Sequence, residues 1–158
     1  MTPGFTFYRV LCTTPSDLEE ERQAFESAVA RFVEEVTMPK GVLFAPASLR
    51  PPIVASRQVP VIEANIRMCE FVLAVFGEAW PDAVFGGFVD YALECAADPG
   101  MATRNVAVFF RNYPQAAPEV RALRERLAGR AACEPYDFQN AGEFGGCVRE
   151  VLSRWFTA

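Results

Sequence analysis

The feature that most constrains this chain is a set of short apolar runs separated by longer stretches of helical periodicity. The runs are Phe5 to Thr13, Val42 to Ala47, Phe71 to Phe76, Val106 to Phe110 and, less apolar, Ala132 to Phe138. Three of the five lack in-out alternation, which a strand tolerates only when both of its faces are covered, as in a parallel sheet between helical layers. Five strands alternating with five helices predict right-handed crossovers and a three-layer, doubly wound α/β domain. The common five-strand solution has strand order 2-1-3-4-5, the flavodoxin-like arrangement. A Rossmann-type order is the rival, but the first strand leads into Thr13-Thr14-Pro15-Ser16-Asp17, which has no G-x-G-x-x-G glycines for a pyrophosphate.

The helical stretches can be read individually. Leu18, Phe25, Val29, Phe32, Val33 and Val36 recur at helical spacing, while Glu19, Glu20, Glu21 and Glu26 fall largely elsewhere. Thr14 is expected to cap that helix, with Pro15 at its first position, Asp17 in its positive first turn, and Met38-Pro39-Lys40-Gly41 ending it. A second helix is expected within Ser56 to Met68, built on Val59, Ile62, Ile66 and Cys69. Further helices are expected over Phe88 to Ala97, Pro118 to Ala128 and Glu143 to Phe156. No repeat or linker interrupts the pattern, so residues 1–158 read as one domain, a size that buries enough surface to fold without a disulfide or metal.

Composition removes whole classes of function. Histidine is absent, which excludes serine–histidine and cysteine–histidine hydrolases and the common zinc hydrolase sites. Lys40 is the only lysine, and Lys40-Gly41 is no phosphate loop. A net charge of -5 argues against a nucleic-acid surface. Cys12, Cys69, Cys95, Cys133 and Cys147 form no C-x-x-C pair and are odd in number, so they resemble neither a zinc site nor a disulfide framework. Cys12, Cys69 and Cys147 sit in or beside apolar runs, where a thiol packs as a small hydrophobe. With no leader-like start and no apolar run of membrane-spanning length, a reducing cytoplasm is expected and no cofactor is required.

In open parallel sheets, ligands bind beyond the carboxyl ends of the strands where the strand order reverses. That places a candidate crevice between the first and third strands, walled by Thr13, Thr14, Ser16 and Asp17 and by Gly77, Glu78, Ala79 and Trp80. Ser48, Arg50, Arg111 and Asn112 lie at the neighbouring strand ends. Hydroxyls and amides at a helix start can hold a phosphate or a ribose, although a plain capped helix start accounts for them more simply. Asp17 can act as a base or hold a sugar hydroxyl, and its charge opposes phosphate. Glu78 beside Trp80 resembles a polar anchor next to a stacking ring, although a Trp before Pro81 also simply packs a loop. Gly86-Gly87 reads as a turn into the third helix. Arg111 suits an anion or a salt bridge, and Arg121, Arg124, Arg126 and Arg130 a solvated helix face or a partner surface.

Two segments resemble a known family. Arg9-Val10-Leu11-Cys12-Thr13-Thr14 followed by Asp17-Leu18-Glu19-Glu20-Glu21-Arg22 is similar to the opening of an uncharacterised TIR-like domain. Ile66-Arg67-Met68-Cys69-Glu70-Phe71-Val72-Leu73-Ala74-Val75-Phe76-Gly77 is similar to that family's helix ending in cysteine-acid and its strand ending in glycine. The pattern spans about two thirds of the chain. The resemblance implies a flavodoxin-like sheet related to TIR domains and nucleoside 2-deoxyribosyltransferases, a signalling, ligand-sensing or interaction role, and binding of a nucleotide or NAD-like molecule. A protein partner or homo-oligomer is consistent with it.

The related enzymes place a glutamate at the start of the third helix, four residues before a small alanine. Matching that alanine to Ala92 puts Phe88 where the glutamate belongs. Asp90 is two residues further on, which turns a helical side chain through about 200°. The resemblance therefore implies an impaired catalyst. The alternative is an N-glycosidic bond hydrolase or transferase acting on NAD or a nucleoside through Glu78, Asp90 or Asp17.

Overall fold

The computed structural model describes residues 4–15, 17–49, 55–80, 87–130, 133 and 135–157, excepting the side chains of 49 and 55–61. Five strands, β1 (Thr6–Thr13), β2 (Val42–Leu49), β3 (Phe71–Phe76), β4 (Asn105–Arg111) and β5 (Pro135–Phe138), form one sheet in the order β2-β1-β3-β4-β5. All four pairings are parallel, with Cys12 opposite both Ser48 and Leu73, and Ala74 opposite Val108. The helices are α1 (Glu19–Phe32), α2 (Ala55–Met68), α3 (Phe88–Ala97), α4 (Pro118–Leu127) and α5 (Ala141–Thr157). This is the flavodoxin-like, three-layer arrangement expected from the alternating runs.

The pleat divides the core into two slabs. Val10, Cys12, Leu73, Val75, Ala107 and Phe109 face α1 and α5, whereas Leu11, Val72, Ala74, Phe76, Val108 and Phe110 face α2, α3 and α4. All six residues of β3 are buried, so it has no solvent face and no need to alternate. Aromatic rings fill the first slab: Phe109 stacks on Tyr136 and meets Phe144 edge-on, each with centroids 5.2 Å apart, and Phe71 stacks on Trp155 at 5.1 Å. Such pairs contribute about 0.5–1.5 kcal/mol beyond the burial of their area.

Three local expectations change. The helix after β1 does not begin at a Thr14 cap. Leu18 stands at its N-cap position with no side-chain cap, and the Leu18 N–H donates to the Pro15 carbonyl at 3.0 Å. Thr14 is itself buried, and among the described residues its hydroxyl has no hydrogen-bond partner. The helix end is close to expectation but looser: Val33–Thr37 continue as a π-turn and Met38–Lys40 as a 3-10 turn, stopped by Gly41 at φ 76°. Finally, the first half of β1 is not core. Phe5 and Phe7 are 50% and 62% exposed, because β3 begins only opposite Val10 and leaves Thr6 to Arg9 paired with β2 alone.

No described helix is long and apolar enough to cross a membrane. Phe144→Ala should destabilise the domain by about 4 kcal/mol, since it empties a fully buried ring site. Phe7→Ser should change stability by less than about 0.5 kcal/mol. Urea unfolding of the two variants measures the contrast.

Candidate functional site

The carboxyl ends of β1 and β3 are brought together by a close approach. A Cβ at Gly77 would lie 3.3 Å from Leu18 Cδ1 and 3.7 Å from Asp17 Oδ2, so the segment leading into α1 packs against the residue that follows β3. A side chain at this position would require Leu18 to give way by a few tenths of an ångström. Thr13, Thr14, Asp17 and Gly77 therefore gather at one place. Thr13 and Thr14 are buried and Asp17 is exposed. Ser16, Arg50, Pro81 and Gly86 lie outside the described residues.

Among the described residues, two hydroxyls at this end of the sheet are buried without a hydrogen-bond partner. Thr14 Oγ1 follows β1 and Ser48 Oγ stands near the end of β2, where Ser48 pairs with Cys12 on the neighbouring strand. A buried hydroxyl left unpaired costs about 1–3 kcal/mol, a debt that a ligand or ordered water can settle. Neither hydroxyl stands out in the sequence as unpaired, because pairing is a tertiary property.

Glu78 is exposed, and its backbone carbonyl accepts a hydrogen bond from Ala117 N–H at 2.7 Å, tying the loop after β3 to the start of α4. Trp80 is half-buried and stacks on Phe76 at 5.5 Å and 16°, and Phe76 stacks on Phe110. The indole thus extends the second core slab up to the loop. Gly87 is exposed at the N-cap position of α3. Phe88, next along the chain, is 2% exposed and packs in the core with Val89 and Ala92. Asp90 is half exposed and paired with Arg126 of α4 at 2.6 Å.

Arg111 ends β4 and bonds Glu21 at 2.7 Å, with its guanidinium 5.2 Å from the centre of the Tyr113 ring. Glu21 is 1% exposed. The periodicity of α1 assigns Glu21 to the polar side, and the structure corrects this: its first turn leans over the sheet end, where Arg111 neutralises it. With Arg111 engaged by Glu21, the exposed carboxylates of Asp17 and Glu78 flank Gly77. That setting suits ribose hydroxyls and hydrogen-bond donors better than a phosphate.

Among the described residues no three Cys, Asp or Glu side chains converge to hold a metal. Burial pushes the Cys69 and Cys133 thiols up to about 11 and drives Cys12 higher still. Cys147, half-buried, is also raised, first by burial and then by Glu143 and Glu150. These thiols pack as hydrophobes and are poor nucleophiles at neutral pH.

Hollows also lie elsewhere among the described residues. One of about 370 Å³ lies between α1 and α5, one of about 480 Å³ beside Glu70, Asp98 and Arg104, and another of about 480 Å³ beside Asp90 and Arg130.

No family model matches the chain, and no curated protein matches it. Among solved structures it is similar to a flavodoxin-like domain from a Synechococcus sp. protein, at 12% identity over 92% of this chain and 99% of that one, with a TM-score of 0.49. It is also similar to the metal-soaked flavodiiron core Flv1 from Synechocystis sp. PCC6803, at 12% identity over 95% of this chain and 36% of that one, with a TM-score of 0.45. The chain thus spans about a third of the flavodiiron protein.

The buried pair generates a test. Arg111→Met should destabilise the domain by about 3 kcal/mol, because Glu21 is left buried and uncompensated, and adding Glu21→Leu should recover most of the loss. Chemical denaturation of the single and double variants measures it. Thiol labelling of the native protein at pH 8 should be slow at Cys12, Cys69 and Cys133 and become fast only on unfolding.

Proposed function

We propose that this domain is a TIR-like ligand-sensing or interaction module whose crevice, between the ends of β1 and β3, takes the nucleoside part of a nucleotide or NAD-like molecule without cleaving it. The observation that carries this reading is Phe88. Where the related glycosidic-bond enzymes need a carboxylate, this chain has a ring that is 2% exposed and packed in the core. Asp90 offers no substitute while it is paired with Arg126 of α4. Thr14 Oγ1 and Ser48 Oγ, buried without partners, support the binding half of the proposal, since a ribose can supply the missing hydrogen bonds. Trp80, carried on the Phe76–Phe110 stack, offers a flat surface at the rim for a base. The close approach at Gly77 draws the two loops into one wall.

A second reading rests on Asp17 and Glu78, exposed carboxylates on the two loops that meet there. Either can serve a hydrolase or transferase that breaks the N-glycosidic bond of NAD or a nucleoside. One experiment separates the readings. The protein is melted with NAD and a panel of nucleosides, and the same mixtures are analysed for nicotinamide or free base. Sensing predicts an upward shift of at least about 5 °C with one ligand at a hundred times its Kd, with no product. Thr14→Val should diminish that shift while leaving the unliganded protein as stable or more so. Released base that disappears in Glu78→Gln or Asp17→Asn would establish the enzyme instead. A panel with no shift and no product would overturn both.

A further inference from the structure

The amino-terminal half of β1 has an open backbone edge. β3 pairs with β1 only from Val10 to Thr13, whereas β2 pairs with it from Thr6 onwards. The Thr6 N–H donates to the Gly41 carbonyl at 2.9 Å on the β2 side, so strand alternation turns the N–H and C=O of Phe7 and the N–H of Arg9 to the other edge. Among the described residues no strand lies opposite Phe7 there. At Arg9 a side chain stands in for one: Glu70 Oε2 accepts the Arg9 N–H at 2.6 Å, the bond that a neighbouring strand's carbonyl would make. The two faces of this edge differ in chemistry. Phe7 shares a face with Leu11, on the side of α2, and is exposed together with Phe5 and with Met68 at the end of α2. On the other face the exposed Arg104 guanidinium lies 5.0 Å from the centre of the Tyr8 ring, and among the described residues it has no carboxylate partner.

We propose that this edge docks an extended peptide segment of a partner protein, which adds as a short strand beside Phe7 and alternates apolar with acidic residues. The open N–H and C=O of Phe7 select an extended backbone, because only a strand presents an acceptor and a donor at the matching spacing. Residues opposite one another on neighbouring strands share a face. The segment's side chains on the α2 side therefore meet Phe7, and those on the other side meet Arg104, whose unpaired charge calls for a carboxylate. A basic segment would be repelled by Arg104, and a wholly polar one would leave Phe5 and Phe7 in water. The Glu70 carboxylate does not oppose an acidic segment along the whole edge, since it is held at Arg9 by the backbone N–H. A second copy pairing through the same edge brings its own Glu70 and β3 against those of the first, so an extended segment is the occupant that the gap admits. The edge lies at the amino ends of the strands, opposite the crevice, and the inference does not depend on what the crevice binds.

Fluorescence anisotropy with a labelled synthetic peptide that alternates valine and glutamate tests the proposal. Binding should be saturable, and should weaken at least about tenfold when the glutamates become lysines or when the amides along one edge of the peptide are N-methylated. Phe7→Pro removes the N–H on the open edge without touching the bonds between β1 and β2, and should abolish binding. Arg104→Glu should weaken binding of the glutamate peptide at least about tenfold and strengthen that of the lysine peptide. Thermal melts check that each variant is folded; should Phe7→Pro not fold, the N-methylated peptide tests the backbone bonds on the wild-type chain. No binding up to about 1 mM peptide would overturn the proposal, as would equal binding of the N-methylated peptide or wild-type affinity in Arg104→Glu. A chain that sediments as a dimer and becomes monomeric on Phe7→Pro would overturn it too, by assigning the edge to a second copy.

Discussion

Burial of β3 on both faces is the constraint on which the rest of the structure depends. With Phe71 to Phe76 closed off entirely, the strand has to sit inside the sheet between β1 and β4, with one helical layer above and another below. The connection from β2 through α2 and those through α3 and α4 lie on one side, while α1 and α5 cover the other. Order reverses between β1 and β3, since β2 is added on the far side of β1, and the loops leaving β1 and β3 diverge to opposite layers. The proposed crevice lies at that reversal of strand order.

What holds this end of the sheet in shape is a small number of tight contacts. Gly77 admits Leu18 and Asp17 over the end of β3. Glu21 and Arg111 tie the first turn of α1 to the end of β4, passing over β3. Desolvating this pair costs free energy that the hydrogen bond and the Tyr113 ring partly return, so its main effect is to fix where α1 begins. The same anchoring explains why α1 starts without a side-chain cap. Its beginning is set by Leu18 under Gly77 and by Glu21 against Arg111, contacts made with β3 and β4 and not with the preceding loop.

Much of the architecture was legible because burial writes itself into local pattern. Phe71 to Phe76 reads as a doubly covered strand and is one, and Phe88 to Ala97 reads as a helix and is one over the same residues. Ile62, Ile66 and Cys69 were assigned to the buried side of the second helical stretch and are buried, while Val59 lies where side chains are not described. The misreadings share one cause. Phe5 and Phe7 look like core but overhang the start of β3, and Glu21 looks like surface but meets Arg111. Thr14 has the form of a cap and is buried beside the sheet instead. In each case a neighbour distant in sequence determined the outcome.

Taken alone, the sequence determined the strands, the helices, the parallel three-layer order, and the exclusion of histidine-dependent and lysine-loop chemistry. These follow from periodicity, strand length and residue identity, all of which act over a few positions. Tertiary structure decided that Phe88 is a core ring, that Asp90 belongs to Arg126, that Arg111 is occupied by Glu21, and that the hydroxyls of Thr14 and Ser48 are left without partners. Those facts depend on which side chains the sheet order brings within hydrogen-bonding range, across separations of tens of residues that no local pattern encodes.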